Sequence, residues 1–469
     1  MKQLIVLLLI MTTFFSCNTT ENTCGQAYVG GEIINPNNDF LVLYKDNIPI
    51  DSLYLDENNR FSYNIESLSP GLHTFVHGGE YQIIIIEPND SLMIRLNTID
   101  FDESLVFSGH GSKKNNYLIN LFLALEKEER VIYKYSKFSP ELFEQKVDSI
   151  KAAHYKSLEA FTERYSPSAL FNKVSTVGID YSYFTHKELY PYRHFGINQQ
   201  INYDSLPNGF FDFRAEINYD DEELKDFSPY YNFLFMHFNN LAADKYFETT
   251  SKKYIDRSSI KFNAAKLILM DSLVHNENIK NILLKYSARN FLSHSQSPED
   301  SETLYSLYLD KNSNEDNAGY ITSLFNTLKK LGAGNRLPGV ELINHKSEVS
   351  TVNTVATKPA VLYFWSNINK NHFKNSHKKV KQLKAAYPEI DFISINVNSN
   401  NASVWKRVLK QNHLDLANEY RFNNPQAAKK LLAIHYINKV YVLDKNKTIV
   451  SSNASLFNRS IHDLLKQLK

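Results

Sequence analysis

The hydrophobic pattern of this 469-residue chain changes period twice, and that change bounds the fold more tightly than any single motif. From Gln26 to about Phe107, short apolar runs alternate with turn residues: Tyr28–Ile34, Phe40–Tyr44, Ile50–Leu55, Phe61–Ile65, Leu72–Val76, Gln82–Ile86 and Ser91–Leu96. Their breaks are Asn35–Asn38, Glu57–Asn59, Ser69–Gly71 and Pro88–Asp90. Regular strands of this length predict an antiparallel β-sandwich over residues 26–110.

Over residues 111–331 the period becomes helical, with Tyr117, Leu118, Leu121, Phe122 and Leu125 on one face. Ser139-Pro140-Glu141 marks a helix start: a capping hydroxyl, a proline in the first turn and an acid at the positive dipole end. That helix runs to Tyr165, and others are predicted at Ser166–Leu189, Asp220–Asn239, Leu241–Tyr254, Ile260–Val274, Ile279–Ser293, Pro298–Tyr308 and Ala318–Leu331. The acidic run Asp220–Glu223 reads as the first turn of one of them. No fixed repeat length separates these helices, so a solenoid is not expected. Tyr190, Tyr192 and Phe195 belong to an aromatic stretch that would either fill a core or line a groove for a glycan or peptide.

After the Gly-rich segment 332–338, read as a linker, strands and helices alternate to the end. Gly339–Ile343 and Ser347–Asn353 suit a hairpin, Ala360–Trp365 a buried strand, His372–Ala386 a basic helix and Ile390–Asn396 a second central strand. Ser403–Gln411 and Pro425–Ala433 read as helices, Lys439–Leu443 and Thr448–Ser451 as a hairpin, and Ser460–Leu468 as a closing helix. That order is the order of a thioredoxin-like fold. The fold class is therefore multidomain α+β: an N-terminal β-sandwich, a helical middle domain and a C-terminal thioredoxin-like α/β domain over 332–469.

The chain opens on one cation, Lys2, an apolar run Leu4–Met11 and Ser16-Cys17. This is a signal peptide over residues 1–17, too short to span a bilayer, followed by a polar tether over 18–25. Ser16 directly before Cys17 resembles the lipobox of bacterial lipoproteins, in which that cysteine carries the lipid; Phe14 departs from the usual Leu. Cys24 is the second and last cysteine. With 52 Lys and Arg against 51 Asp and Glu, the charge excludes a polybasic nucleic-acid or membrane-surface protein. The expected location is the cell envelope, outer membrane facing the periplasm, with one acid, Glu21, in Asn18–Thr23 after the lipidation site.

Two resemblances follow. Gly30–Ile33, Ile50–Phe61 and Ile86–Leu92 resemble the β-sandwich modules that precede thioredoxin-like domains in Bacteroidetes envelope lipoproteins. Leu337–Leu342, Lys358–Trp365, Val404-Trp405, Tyr436-Ile437 and Val440–Asp444 resemble the TlpA-type branch of the thioredoxin superfamily. In that branch the strand ending in Phe-Trp leads to Cys-x-x-Cys at a helix start, whose thiolate attacks a disulfide. Here the cysteine positions hold Asn369 and His372, with Lys370 and Asn371 between, and the family's cis-proline position holds Asn438. The resemblance therefore implies the fold without the redox pair.

His372, His435 and Asn369 would form at most a weak ligand site, with no thiolate or carboxylate to favour a metal. His372 and His377 are wrongly spaced for a ligand pair on a helix. His73 and His77 share a strand face without a third ligand, and Ser108-Gly109-His110 reads as a turn. No metal, cofactor or catalytic residue is assigned. The expected role is binding or scaffolding an unknown protein or ligand partner, with a membrane anchor and no nucleic acid. The alternatives are a TlpA-type thiol–disulfide oxidoreductase, and glycan or peptide binding through the helical domain.

Overall fold

The computed structural model describes residues 25–398 and 402–468. Cys17, Cys24, the signal peptide and most of the tether lie outside the described residues. No helix among the described residues is long and apolar enough to cross a membrane.

Residues 25–108 make two four-stranded sheets. Strands β1 (Gly25–Ile34), β4 (Arg60–Leu68), β7 (Ser91–Asn97) and β8 (Val106–Ser108) form one, in the order β4-β1-β7-β8. Strands β2 (Phe40–Lys45), β3 (Ile48–Tyr54), β5 (Gly71–His77) and β6 (Glu80–Ile86) form the other, in the order β3-β2-β5-β6. Val29, Ile33, Leu41, Leu43, Phe75 and Ile84 meet between them in one core. The expectation of an all-antiparallel arrangement needs a correction, because β1 and β7 run parallel. Gly31 permits this pairing: a Cβ there would stand 2.1 Å from the Ile94 carbonyl oxygen of β7. The turn into β4 is held by Asp56, whose carboxylate accepts from the amides of Asn58 and Arg60 at 2.8 and 2.9 Å.

Strands β6 and β8 are edges, and an unpaired edge invites association with another chain. Helix α1 (Ser112–Tyr135) closes both from its first turn. Asn115 accepts from the Ile85 amide at 2.8 Å and donates to the Ile85 carbonyl at 2.9 Å. Asn116 does the same to Phe107 of β8, at 2.9 and 2.8 Å. Each side-chain amide thus stands in for a missing strand. Lys114, also buried, donates to Glu87 at 2.5 Å and Asp90 at 2.6 Å, which locks the helix to the turn before β7. Gly111, at φ 81°, leaves room for that carboxylate, since a Cβ there would stand 2.1 Å from Asp90 Oδ1.

Helices α2 (Pro140–Tyr165), α3 (Ala169–His194), α4 (Ser228–Thr249), α5 (Ile260–Leu273), α6 (Glu277–His294), α7 (Pro298–Lys311) and α8 (Glu315–Lys330) follow. Two predicted helices, Asp220–Asn239 and Leu241–Tyr254, are one helix α4, which begins at Ser228-Pro229. The acids Asp220–Glu223 do not start it. They lie in a short 3₁₀ segment, where Asp220 accepts from the amides of His275 and Asn276 at 2.7 and 2.6 Å while Asp221 pairs with Lys173. Tyr190 and Tyr192 are core residues rather than groove walls. Tyr190 is fully buried, stacks on Phe143 at 4.0 Å between centroids and donates to the Phe138 carbonyl at 2.7 Å. Phe195, just beyond the end of α3, packs edge-on against the His194 ring at 4.6 Å.

The last strands are β9 (Glu341–Asn344), β10 (Val349–Thr351), β11 (Ala360–Trp365), β12 (Asp391–Asn396), β13 (Glu419–Phe422), β14 (Val440–Leu443) and β15 (Ile449–Ala454). They form one mixed sheet, β10-β9-β13-β12-β11-β14-β15, with β11 parallel to β12 and antiparallel to β14. Helices α9 (Lys370–Ala386), α10 (Ala402–Gln411), α11 (Pro425–Leu431) and α12 (Ile461–Lys466) connect and flank it. The Gly-rich segment 332–338 is not a free linker: Gly334 donates to the Ile449 carbonyl, Ile449 donates back to Asn335, and Leu337 donates to Lys447. One continuous buried cluster joins Leu72 and Ile85 of the N-terminal sheets, the helices, and Leu362, Phe364 and Tyr441 of the C-terminal sheet.

Replacing Asn115 with Ala leaves the Ile85 amide and carbonyl buried without partners, and is expected to cost about 1–3 kcal/mol. Asn120→Ala, at an exposed position of the same helix, is expected to stay within about 0.5 kcal/mol. Urea unfolding of the two variants checks the difference.

Candidate functional site

Strand β11 is buried along its whole length and delivers the chain to the start of α9. Asn369 is the N-cap of that helix, and its side-chain oxygen accepts from the His372 amide at 2.9 Å. Lys370 reaches out of the C-terminal sheet region and donates to the Ile99 carbonyl at 2.8 Å. Ile368, just before the cap, lies against Gly79 in the turn between β5 and β6. Asn371 is exposed. The helix start therefore rests on the N-terminal sheets through Ile368 and Lys370.

His372 is half-buried, with Nε2 3.2 Å from Ser376 Oγ and its ring edge-on to Phe457. Burial, with a smaller contribution from His377, holds its pKa below the ordinary value. Asn438 is exposed in the turn before β14, and its peptide bond is trans. His435 packs edge-on to Tyr320 of α8, with Nδ1 3.4 Å from the Tyr320 hydroxyl. Next to it, Tyr436 stacks on His294 of α6 at 4.3 Å between centroids. Burial lowers the His435 pKa to about 4, aided by Arg289 and Lys439. The contacts of His372 and His435 run to different elements, and no hydrogen bond or ring contact found among the described residues joins them. No group of three or more His, Cys, Asp or Glu side chains among the described residues is placed to hold a metal.

The other residues singled out from the sequence have structural partners. His73 and His77 are buried in β5, with Nδ1 bonded to the carbonyls of Gly71 and Phe40 at 3.0 and 2.9 Å. His77 Nε2 also accepts from the Asn37 amide at 3.1 Å. Burial takes the His73 pKa down to about 4. Ser108 ends β8, and Gly109 and His110 form the turn into α1.

A polar cluster under α9 was not visible in the sequence. His377 Nδ1 donates to the Phe373 carbonyl at 2.8 Å, and Nε2 lies 3.1 Å from Glu419 Oε1. Because a carbonyl only accepts, Nδ1 carries the proton of that bond. Ser394 stands 3.4 Å from the same nitrogen and also bonds the buried Tyr363 hydroxyl. Glu419 is 4% exposed, and its Oε2 has no hydrogen-bond partner among the described residues. Tyr363, Trp365 and Phe373 enclose the imidazole. Lys439, beside Asn438, is also buried and donates to the Leu432 and Ala433 carbonyls. Burial lowers its pKa to about 7. This site can hold protons, but it has no thiol.

No protein-family model and no curated protein matches the chain. Three solved structures are similar to parts of the chain. One, a candidate thiol–disulfide oxidoreductase from Bacteroides vulgatus, is 22% identical, with 30% of this chain and 99% of that one covered and a TM-score of 0.28. A thioredoxin-like protein from Bacteroides caccae is 13% identical, with 45% and 78% covered and a TM-score of 0.34. The thioredoxin domain of a thiol–disulfide oxidoreductase from Bacteroides vulgatus is 13% identical, with 29% and 96% covered and a TM-score of 0.25.

His377→Leu removes the partner of a buried carboxyl, and its cost is expected to fall when Glu419→Gln is added. A double-mutant cycle followed by urea unfolding should give a coupling of about 0.5–3 kcal/mol. His435 adds a pH dependence. The folded chain holds it neutral down to about pH 4, whereas the unfolded chain takes up the proton near its ordinary value of 6.5. Its contribution is therefore complete above about pH 6.5 and is lost as pH falls toward 4. His435→Gln should lose less stability across that window than the parent, measured by urea unfolding at pH 7 and pH 4.5.

Proposed function

We propose that this chain is a cell-envelope lipoprotein whose thioredoxin-like C-terminal part performs no thiol–disulfide exchange and serves to bind or scaffold a partner. The observation that carries this reading is the start of α9. Where the TlpA-type pattern places its nucleophilic cysteine stands Asn369, whose oxygen is engaged in capping the helix. An amide cannot attack a disulfide, and the imidazole of His372 cannot resolve one. The thioredoxin-like reading itself rests on the order of strands and helices around β11 and on the motifs named in the sequence.

The surroundings of the vacated pair support the same conclusion. On one side Lys370 and Ile368 lean on the N-terminal sheets, and on the other His435 and Tyr436 lie against α8 and α6. These segments hold the chain's own parts together. The anchor rests on Leu4–Cys17, and the single acid after Cys17 favours the periplasmic side of the outer membrane.

The rival reading takes the activity named for the solved structures. It would require a thiol, and the chain has only Cys24 once Cys17 carries lipid. The purified full-length protein is expected to reduce insulin with dithiothreitol at the uncatalysed rate. A tenfold acceleration that Cys24→Ser abolishes would establish the rival instead. Cys17→Ser is expected to move the protein from the membrane pellet to the soluble fraction, and retention in the pellet would overturn the anchor.

A further inference from the structure

Only part of the outer face of the sheet β3-β2-β5-β6 is covered. Leu72 and Ile85 on that face enter the shared core. Tyr44, Thr74, Val76, Tyr81 and Ile83 on the same face instead line a cleft of about 450 Å³, whose opposite wall comes from α4 and α6. That volume is in the range of sites that take small organic ligands.

Three features of the wall narrow the ligand class. First, tyrosine rings are presented to solvent: Tyr81 is 54% exposed and Tyr286 45% exposed. Tyr286 is braced from behind by Phe235, stacked at 4.2 Å between centroids, so its orientation is held. Second, the charges are already committed. Lys225 pairs with Asp46 at 3.1 Å and Glu222 at 2.9 Å, and Asp226 accepts from the Asp46 amide at 3.0 Å. Burial and the neighbouring Asp46 also raise the Asp226 pKa to about 6, and the carboxylate, still largely ionised at pH 7, is held by that amide. What remains is neutral: the amides of Asn47 and Asn232, and Tyr231, which is 9% exposed and whose hydroxyl has no hydrogen-bond partner among the described residues. Third, the adjoining edge β6 cannot take an added peptide strand, because the amides of Ile83 and Ile85 are occupied by Gln82 and Asn115, each at 2.8 Å.

We propose that this cleft binds a neutral oligosaccharide, with sugar rings lying on Tyr81 and Tyr286 and hydroxyls meeting the amides of Asn47 and Asn232. A sugar ring offers an apolar face of C–H groups and a rim of hydroxyls that both donate and accept, which suits exposed aromatic faces beside side-chain amides. A phosphorylated or acidic ligand would find no uncommitted cation among the lining residues. This site is separate from α9 and does not depend on the redox reading.

The test is calorimetric titration of the full-length protein at pH 7 with cellohexaose, maltohexaose, xylohexaose and chitohexaose. At least one is expected to bind saturably. The double variant Tyr81→Ala/Tyr286→Ala, at two exposed positions, should keep the parent circular dichroism spectrum and weaken that binding about tenfold. Tyr54→Ala, at an exposed tyrosine outside the cleft, should bind as the parent does. The proposal is overturned if none of the four sugars binds, or if binding is unchanged in the double variant.

Discussion

The first turn of α1 is the joint on which the other parts of the molecule depend. Lys114, Asn115 and Asn116 are consecutive, and a helix projects consecutive side chains about 100° apart. One faces the Glu87–Asp90 turn, one the edge of β6 and one the edge of β8. Two sheets that would otherwise end in unpaired backbone are closed by two side-chain amides, and an ammonium buried between two carboxylates fixes the helix to them. Residues of α4 and α6 then face the outer side of β5 and β6 across a cleft.

From that joint follows a single buried cluster running from Leu72 through the helices to the C-terminal sheet. The segment 332–338 takes part, since it is bonded along β15. Such continuity makes the surfaces of the C-terminal part available as internal contacts. The loop of His435 and Tyr436 and the turn of Ile368 and Lys370 are used in this way.

Most elements could be read from the sequence because their signals are local. The cap Ser139-Pro140-Glu141, the alternation in β2 and β7, and the all-apolar β11 each declare themselves within a few residues. The failures have physical causes too. Strand β13 is four residues, Glu-Tyr-Arg-Phe, with charged side chains at alternate positions, so it lacks an apolar signature, and with it the partner of His377 was hidden. The break placed between Asn239 and Leu241 rested on side chains that α4 buries in a polar network, where Asn240 donates to Glu188 at 2.6 Å. The acids at 220–223 looked like a helix start, but their carboxylates satisfy the amides at the beginning of α6 instead. Tyr190 and Tyr192 looked equally suited to a groove and a core, and packing against Phe143 and its neighbours decided for the core.

The sequence by itself determined which residues stand at the positions argued from, Asn369, His372 and Asn438, and a near-neutral charge. These are matters of residue identity and need no coordinates. It also determined the periodicities, because alternation of apolar side chains reflects local backbone geometry. Only the tertiary structure decided which edges are closed, that Asn115 and Asn116 close them, and that Tyr81 and Tyr286 face one cleft from opposite walls. Those pairings join residues 9 to more than 200 positions apart, and no local pattern encodes them, since they arise only when the helices settle on the sheets.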